Sequence, residues 1–212
     1  MARLYEMEWP DLDVIVAPAM KIVTLTGNFP EHGYEATVLT SRNAVAAARE
    51  HFPESAAYCV GDATAQAARD AGLSAVSAAG AAPDLIGLIL KDGLKKVVHL
   101  RGTHSRGEIA QKLTSAGVQT ESIVVYDQVE RAWKHKEIER IENTHRLIVP
   151  VFSPRSSALI GSRLTFYRGK ITLIAISQAA RDEWNGPKPK HIEVAQKPDA
   201  PAMKAAIASQ LS

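Results

Sequence analysis

Five hydroxyl side chains, Thr40, Ser41, Thr64, Ser153 and Ser177, stand at the ends of apolar runs. Each is expected beside the first turn of a following helix, where unpaired N–H groups and the helix dipole attract anions. Ser and Thr also cap helices at that position, so capping is the alternative use for every one of them. Gly61 contributes a small-residue turn of the same kind, in Val60-Gly61-Asp62-Ala63-Thr64-Ala65. Arg101-Gly102 follows the run Val97–Leu100 in the same manner. A guanidinium there can pair bidentately with a carboxylate, or simply be solvated. Arg42 and Arg155 occupy matching places in two similar stretches. Tyr126 ends the run Ile123–Val125 just before the polar Asp127-Gln128-Val129-Glu130. An ordinary phenol, with a pKa near 10, stays protonated at neutral pH and can donate to a departing hydroxyl; a tyrosine here can equally cover a core edge.

Other chemistries lack their residues. His99 and His104 have no Cys or His pair at metal-ligand spacing, and read as a buried and an exposed histidine. No phosphate-binding Gly-rich loop of the nucleotide or dinucleotide type occurs. Cys59 lies within an apolar run, where a thiol is usually inert. No nucleophile–base pair stands out. An enzyme built from these residues is expected to work without metal, nucleotide cofactor or covalent intermediate.

The elements that must position these groups alternate along the chain. Strands are expected at Asp13–Val16, Glu35–Thr40, Ala56–Val60, Ala75–Ala78, Lys96–Leu100, Ser122–Tyr126, Arg146–Phe152, Ile171–Ile176 and His191–Ala195. Helices are expected near Asn43–His51, Ala63–Ala71, Pro83–Lys91, Ser105–Ala116, Lys134–Glu142, Arg155–Leu164 and Ala200–Leu211. Short continuous apolar strands separated by helices predict an α/β fold with parallel sheets covered on both faces. The candidate groups then fall at the carboxyl ends of strands, where such sheets bind ligands.

Length and composition agree. The 212 residues fit one large or two small domains, and 46% hydrophobic content is enough for packed cores. No window approaches the run of about 18 apolar residues that a membrane span needs. No secretory leader is evident, and a single cysteine fits a reducing compartment, so a cytoplasmic protein is expected. A net charge of +2 with scattered basic residues gives no footprint for nucleic acid.

The chain also repeats itself. Val38-Leu39-Thr40-Ser41-Arg42-Asn43-Ala44-Val45 and Val149-Pro150-Val151-Phe152-Ser153-Pro154-Arg155-Ser156 share the plan strand, hydroxyl, helix. Each is followed by a second strand turning into a helix, at Tyr58–Ala65 and at Leu173–Ala180. Two similar α/β halves are therefore expected in one chain. A third pairing is incomplete. Ala110–Leu113, Gly117 and Ile123–Tyr126 match Ala2–Tyr5, Pro10 and Val14–Pro18, but the strand Val97–Leu100 that precedes the later unit has no N-terminal counterpart. The chain is expected to begin inside a helix, one strand and its turn short.

In order and spacing these motifs resemble the uroporphyrinogen-III synthase family. Thr40-Ser41-Arg42-Asn43-Ala44-Val45 is similar to the family's Thr-Ser-x-x-Ala-Val signature, and Val60–Ala65 to its Val-Gly-x-x-Thr-Ala turn. Leu100-Arg101-Gly102, Val125-Tyr126 and Phe152-Ser153-Pro154 match three further landmarks. The resemblance implies two flavodoxin-like domains, one inserted in the other, joined by a two-stranded linker. Mapped here, residues 1–17 with 131–212 form the discontinuous domain, 27–121 the inserted one, and 18–26 with 122–130 the linker strands. It also implies hydroxymethylbilane as substrate, bound in the cleft between domains and cyclised with inversion of its last ring. The enzyme would be a monomeric, cofactor-free lyase of haem biosynthesis, with no nucleic-acid or membrane partner. Tyr126 is then the catalytic candidate. Thr40, Ser41, Arg42, Gly61, Thr64, Arg101, Gly102, Ser153, Arg155 and Ser177 would bind substrate.

Two departures from the family pattern bear on this. The absent first strand removes a turn that would line the cleft. The turn Ile176-Ser177-Gln178-Ala179-Ala180 lacks the usual Gly and Thr, so Ala180 offers no hydroxyl. A non-catalytic relative binding a tetrapyrrole or another polyanion is the competing reading. A flavodoxin-like electron carrier is a more distant one.

Overall fold

The computed structural model describes residues 9, 12–26, 28–30, 33–104 and 108–211. The chain folds as two compact units, Ile22–Val129 and Met1–Lys21 with Glu130–Ser212. It passes from one to the other at Lys21/Ile22 and again at Val129/Glu130.

The continuous unit is built on one sheet. Its strands are β1 (Met20–Thr24), β2 (Ala36–Leu39), β3 (Ala56–Cys59), β4 (Ala75–Ser77), β5 (Lys96–Gly102) and β6 (Gln119–Glu130), in the order β1-β6-β5-β2-β3-β4. Every pair from β6 to β4 is parallel. Arg131 N donates to Ala19 O and Leu25 N to Val125 O, both at 3.0 Å, so β1 runs antiparallel to β6. All four residues of β2 are buried, as a central strand covered on both faces requires. Helices α1 (Val45–His51, after a 3-10 turn at Arg42–Ala44) and α2 (Asp62–Asp70) cover one face, packing Ala47, Ala48, Ala65 and Ala68 against Leu39, Leu100, Ile123 and Val125. Helices α3 (Ala82–Lys91) and α4 (Ile109–Ser115) cover the other. Leu85 and Ile89, and likewise Ile109 and Leu113, stand four apart and so share a helix face; all four are buried beside Val38 and Val97. The helix expected over Ser105–Ala116 is described only from Glu108, because 105–107 lie outside the described residues.

The strand order has a direct reading. With β5 and β6 counted as first and second strands, β6-β5-β2-β3-β4 is the flavodoxin-type order 2-1-3-4-5, met in cyclically shifted sequence. The switch point of such a sheet lies between its first and third strands, here β5 and β2.

In the other unit β7 (Arg146–Val151), β8 (Lys170–Ala175) and β9 (His191–Val194) form a parallel sheet, matching strands three to five of that order. It carries α5 (His135–Glu142), α6 (Pro154–Arg163), α7 (Gln178–Asp182) and α8 (Ala200–Ala208). Val149, Val151, Leu173 and Ala175 pack on one face with Ile141 and Leu164, while Ile174 meets Met203, Ala206 and Ile207 on the other. Helix α6 approaches the turn after α7 closely. A Cβ on Gly161 would lie 2.7 Å from Gly186 N, so only glycine fits there. Among the described residues β7 is an edge strand. Val151 O accepts from Ile176 N and His145 O from Lys170 N, which places residues 145, 147, 149 and 151 toward β8. Residues 146, 148 and 150 face outward, and Pro150 therefore presents no N–H along that edge.

One expected strand does not form. Residues 13–18 join no ladder. Their carbonyls are taken by side chains instead: Arg140 Nη2 donates to Val14 O at 3.4 Å, Trp133 Nε1 to Ala17 O at 2.9 Å and Arg131 Nη1 to Pro18 O at 3.2 Å. An apolar run such as Val14–Ala17 becomes a strand only beside a partner strand, and here it is tied down without one. The N-terminal helix end expected at Ala2–Tyr5 lies outside the described residues. Strand β6 runs longer than Ser122–Tyr126, and α8 stops at Ala208 rather than Leu211.

Candidate functional site

Three neighbouring strands of the continuous unit, β5, β2 and β3, end in the turns that carry the candidate groups. Thr40 follows β2, and Ser41 caps the next turn by accepting from Asn43 N at 3.2 Å. Arg42 is exposed. One strand over, Gly61 is the N-cap of α2, and Val60 N donates to Leu39 O at 3.1 Å, which ties the two turns together. Gly61 has an ordinary extended φ of −152°, and a Cβ there would meet no atom within 4 Å. Neither conformation nor packing demands glycine at this position, whereas close approach of a ligand to the backbone would. Thr64, third residue of α2, is buried to 7% exposure. Asp62 in the first turn already offsets part of the positive helix end.

The end of β5 is the most constrained part of the site. Arg101 pairs with Val124 across β6, yet Gly102 pairs with Tyr126, so β6 holds one extra residue, Val125, at this point. Such a bulge re-aims the side chain after it. Val125 and Tyr126 consequently both belong to the core packed under α1 and α2. The Tyr126 ring lies beneath Gly102, where a Cβ would come within 2.5 Å of the ring and 2.9 Å of its hydroxyl. Gly102 is what lets the phenol reach the end of the strand. Arg101 is held rather than loose: Nε donates to Ser122 Oγ at 2.9 Å and Nη1 to Gly102 O at 3.1 Å. Thr103 N donates to Tyr126 O at 3.0 Å. The exposed His104 stands 3.5 Å from Asp127, a proximity that the sequence, with the two 23 positions apart, does not signal.

Two buried groups below the site are electrically quiet. His99 is 2% exposed, and burial, aided by the nearby Arg101 charge, pushes its pKa down to about 4, so it is neutral at pH 7. Burial pushes the Cys59 thiol up to about 11, which disfavours the reactive thiolate.

The discontinuous unit ends its strands in a similar pair of turns. Ser153 caps α6, accepting from Ser156 N at 3.1 Å while Ser156 Oγ accepts from Ser153 N at 3.0 Å. Ser177 caps α7 through Ala180 N at 3.3 Å. Ser41, Ser153 and Ser177 thus all serve as caps. Arg42 and Arg155 do not occupy matching places: counted from the caps Ser41 and Ser153, Arg42 is the first residue and Arg155 the second. Pro154, which stands between Ser153 and Arg155, accounts for the offset of one. Sequence reasoning missed Ser157, fully buried on α6 with its hydroxyl unpartnered. A serine among the helix's Ala, Leu and Ile positions was the available signal.

Arginines, caps and helix starts at strand ends make a set of donors suited to carboxylates. Among the described residues no His, Cys, Asp or Glu cluster could hold a metal ion, and no helix is long and apolar enough to cross a membrane.

The family model for uroporphyrinogen-III synthase HemD matches residues 8–205 of the chain. The chain belongs to the uroporphyrinogen-III synthase family. This is a family of lyases in haem biosynthesis that act on a small-molecule tetrapyrrole. No curated protein sequence matches the chain. Among solved structures, uroporphyrinogen-III synthetase from Helicobacter pylori is similar with a TM-score of 0.66 at 18% identity, over 91% of each chain. A mutant uroporphyrinogen III synthase from the extremely thermophilic bacterium Thermus thermophilus aligns over 99% of this chain and 94% of its own, at 14% identity and a TM-score of 0.49. The first likeness shows the shared two-domain α/β fold of uroporphyrinogen-III synthases.

Proposed function

We propose that the chain closes hydroxymethylbilane to uroporphyrinogen III with its last ring inverted, through residues at the carboxyl ends of β2, β3 and β5 in one unit and of β7 and β8 in the other. The observation that carries this reading is the family match across 8–205. The switch-point turns after β2 and β5, with Tyr126 re-aimed beside them, support it. Tyr126 donates a proton to the substrate hydroxyl, which leaves as water. The cation left behind is attacked by the last ring, passes through a spiro intermediate and recombines with that ring turned over. The proton then lost from the ring carbon restores the phenol, so the net change is loss of one water.

Such a reaction depends mainly on positioning, with electrostatic help for the transient cation. That division of labour fits a site rich in fixed donors and poor in acid–base pairs. Thr40, Ser41, Arg42, Gly61, Thr64, Arg101, Gly102, Ser153, Arg155 and Ser177 hold the substrate's carboxylates through side chains or adjoining N–H groups. The enzyme acts as a cytoplasmic monomer without a cofactor.

The test is conversion of hydroxymethylbilane by chelator-treated protein, with oxidised products separated as isomers. Excess type III over the enzyme-free control is expected. A type I to type III ratio equal to that control would overturn the reading.

A further inference from the structure

The charge of the chain is unevenly spread. Residues 143–212 carry ten Lys and Arg against four Asp and Glu, although the whole chain is only +2. Parallel strands begin at one common end, so the fold gathers much of this excess on a single rim of the discontinuous unit. Arg146 opens β7 and pairs in register with Lys170, which opens β8. Lys190 immediately precedes β9, and its N–H donates to Ile171 O at 2.8 Å. Neighbouring strands lie about 4.8 Å apart, so the backbones carrying these three cations span about 10 Å. Arg168 and Lys188 stand in the segments leading into β8 and β9.

All five side chains are exposed, and none of them is in an ion pair among the described residues. In the same unit Arg131, Arg140, Arg163 and Arg181 each have a carboxylate within reach. Three of the four nearby acids are engaged elsewhere. Glu193 accepts from Ser209 and Gln210, Asp199 caps α8, and Asp182 accepts from Gln178 beside Arg181. Helices α5, α6 and α8 end at this rim, and their carbonyl ends supply roughly half a negative charge each. Five cations exceed that.

Solvated lysines alone would define no partner. A recess of about 420 Å³ opens beside them, lined by Glu142, His145, Phe166, Tyr167 and Arg168 among others. Lys170 N donates to His145 O at 2.9 Å, which ties the two segments forming the recess to the start of β8. Phe166 is half-buried, and Ile192, two residues past Lys190, is 40% exposed. Apolar surface therefore adjoins the unpaired cations. A polyphosphate backbone would leave that surface unused and meet the Glu142 carboxylate, while a lipid surface cannot fill a recess. A polypeptide supplies both carboxylates and an apolar side chain.

We propose that the amino-end rim of β7, β8 and β9 is a docking surface for an acidic protein segment carrying an apolar or aromatic anchor. The carboxylates face Arg146, Arg168, Lys170, Lys188 and Lys190, and the anchor enters the recess beside Phe166. Ser153 and Ser177 follow the opposite ends of the same strands, so a docked partner leaves those turns open.

The probes are a glutamate-rich peptide containing phenylalanine, the same peptide with alanine in its place, an oligothymidylate of equal charge, and vesicles containing phosphatidylserine. Binding is measured on the wild type, on a rim variant (Lys170→Gln, Lys188→Gln, Lys190→Gln) and on a control variant of identical net charge (Lys91→Gln, Lys112→Gln, Lys136→Gln). The phenylalanine peptide should bind wild type most tightly, and more weakly as salt rises. The rim variant should lose roughly 3- to 100-fold in affinity and the control variant less than about 2-fold. Melting temperature and type III formation should be the same in all three proteins. Equal losses in the two variants would overturn the surface, as would a peptide that binds no better with phenylalanine than with alanine. Tighter binding of the oligothymidylate or the vesicles would assign the rim to another class of partner and overturn the proposal.

Discussion

At the scale of single residues, Tyr126 and His99 make opposite use of burial. Tyr126 is packed at 8% exposure with its hydroxyl beside Gly102, at the end of a strand rather than in mid-sheet. Tyr126→Phe keeps ring and packing and deletes only the donor. Loss of a positioned proton donor should cut turnover about 10²- to 10⁴-fold, with the melting temperature little changed. An equally active Phe variant would leave the tyrosine as core filler. His99 reports on stability instead. Its folded pKa of about 4 lies below the ordinary 6.5, so both folded and unfolded chains hold it neutral above pH 6.5. As pH falls below 6.5 the unfolded chain takes up a proton that the folded chain refuses. Stability should therefore decline progressively toward pH 4, by roughly 3 kcal/mol in all. Urea midpoints at pH 7, 5.5 and 4.5 should show His99→Leu declining less than wild type; equal declines would reject the idea. Residue types and order made Thr40, Gly61, Arg101 and Tyr126 visible as candidates from sequence. Ser157 left only the mark of a serine among apolar helix positions, because its burial depends on which face of α6 meets the sheet, a tertiary fact.

At the scale of elements, the bulge in β6 decides where Tyr126 points. If residues 123–126 alternated regularly, with no bulge at Val125, Tyr126 would lie on the face opposite Leu100 and Ile123. Gly102 complements the bulge. Gly102→Ala would drive a methyl into a ring fixed by core packing, so the ring or the strand end must shift. Expected are a loss of about 1–3 kcal/mol in stability and a fall in turnover comparable with that of Tyr126→Phe. Denaturant midpoints and the type III assay check both, and unchanged values in both would show that the ring can yield. Apolar runs such as Ala36–Leu39 and Ile171–Ala175 were legible as buried strands because they sit in mid-sheet. The bulge was not, since one added apolar residue leaves no mark on composition. Asp13–Val16 was misjudged for the converse reason: its pattern is that of a strand, but strand formation needs a neighbour and these carbonyls found side chains.

At the scale of the molecule, the two units differ in how their sequence is laid out. Ile22–Val129 is continuous and contains its whole sheet apart from the first residues of β1 and the last of β6. We propose that it is an independently folding domain. A fragment 19–130 should show native-like circular dichroism and one cooperative thermal transition; a disordered fragment would refute this. The other unit cannot complete itself locally. Its contacts join Asp13, Val14 and Ala17 to Arg140 and Trp133, more than a hundred positions away. Closing so long a loop makes that unit the slower to form. Alternating element types announced two α/β halves. The cyclic shift of β5 and β6 was legible only as an incomplete third repeat.

Pro150 takes on another meaning while the chain is being made. During synthesis the continuous unit can close first, while β7 is among the last strands to find its place and emerges as Arg-Leu-Ile-Val-Pro-Val beside neighbouring nascent chains. An outward row of N–H groups on such a segment is a template for strands of other molecules. A proline at an outward position removes one donor from the middle of that row, and β8 never needed it. The protein thus carries, within its own sheet, a safeguard against self-association that operates before there is a finished fold to protect.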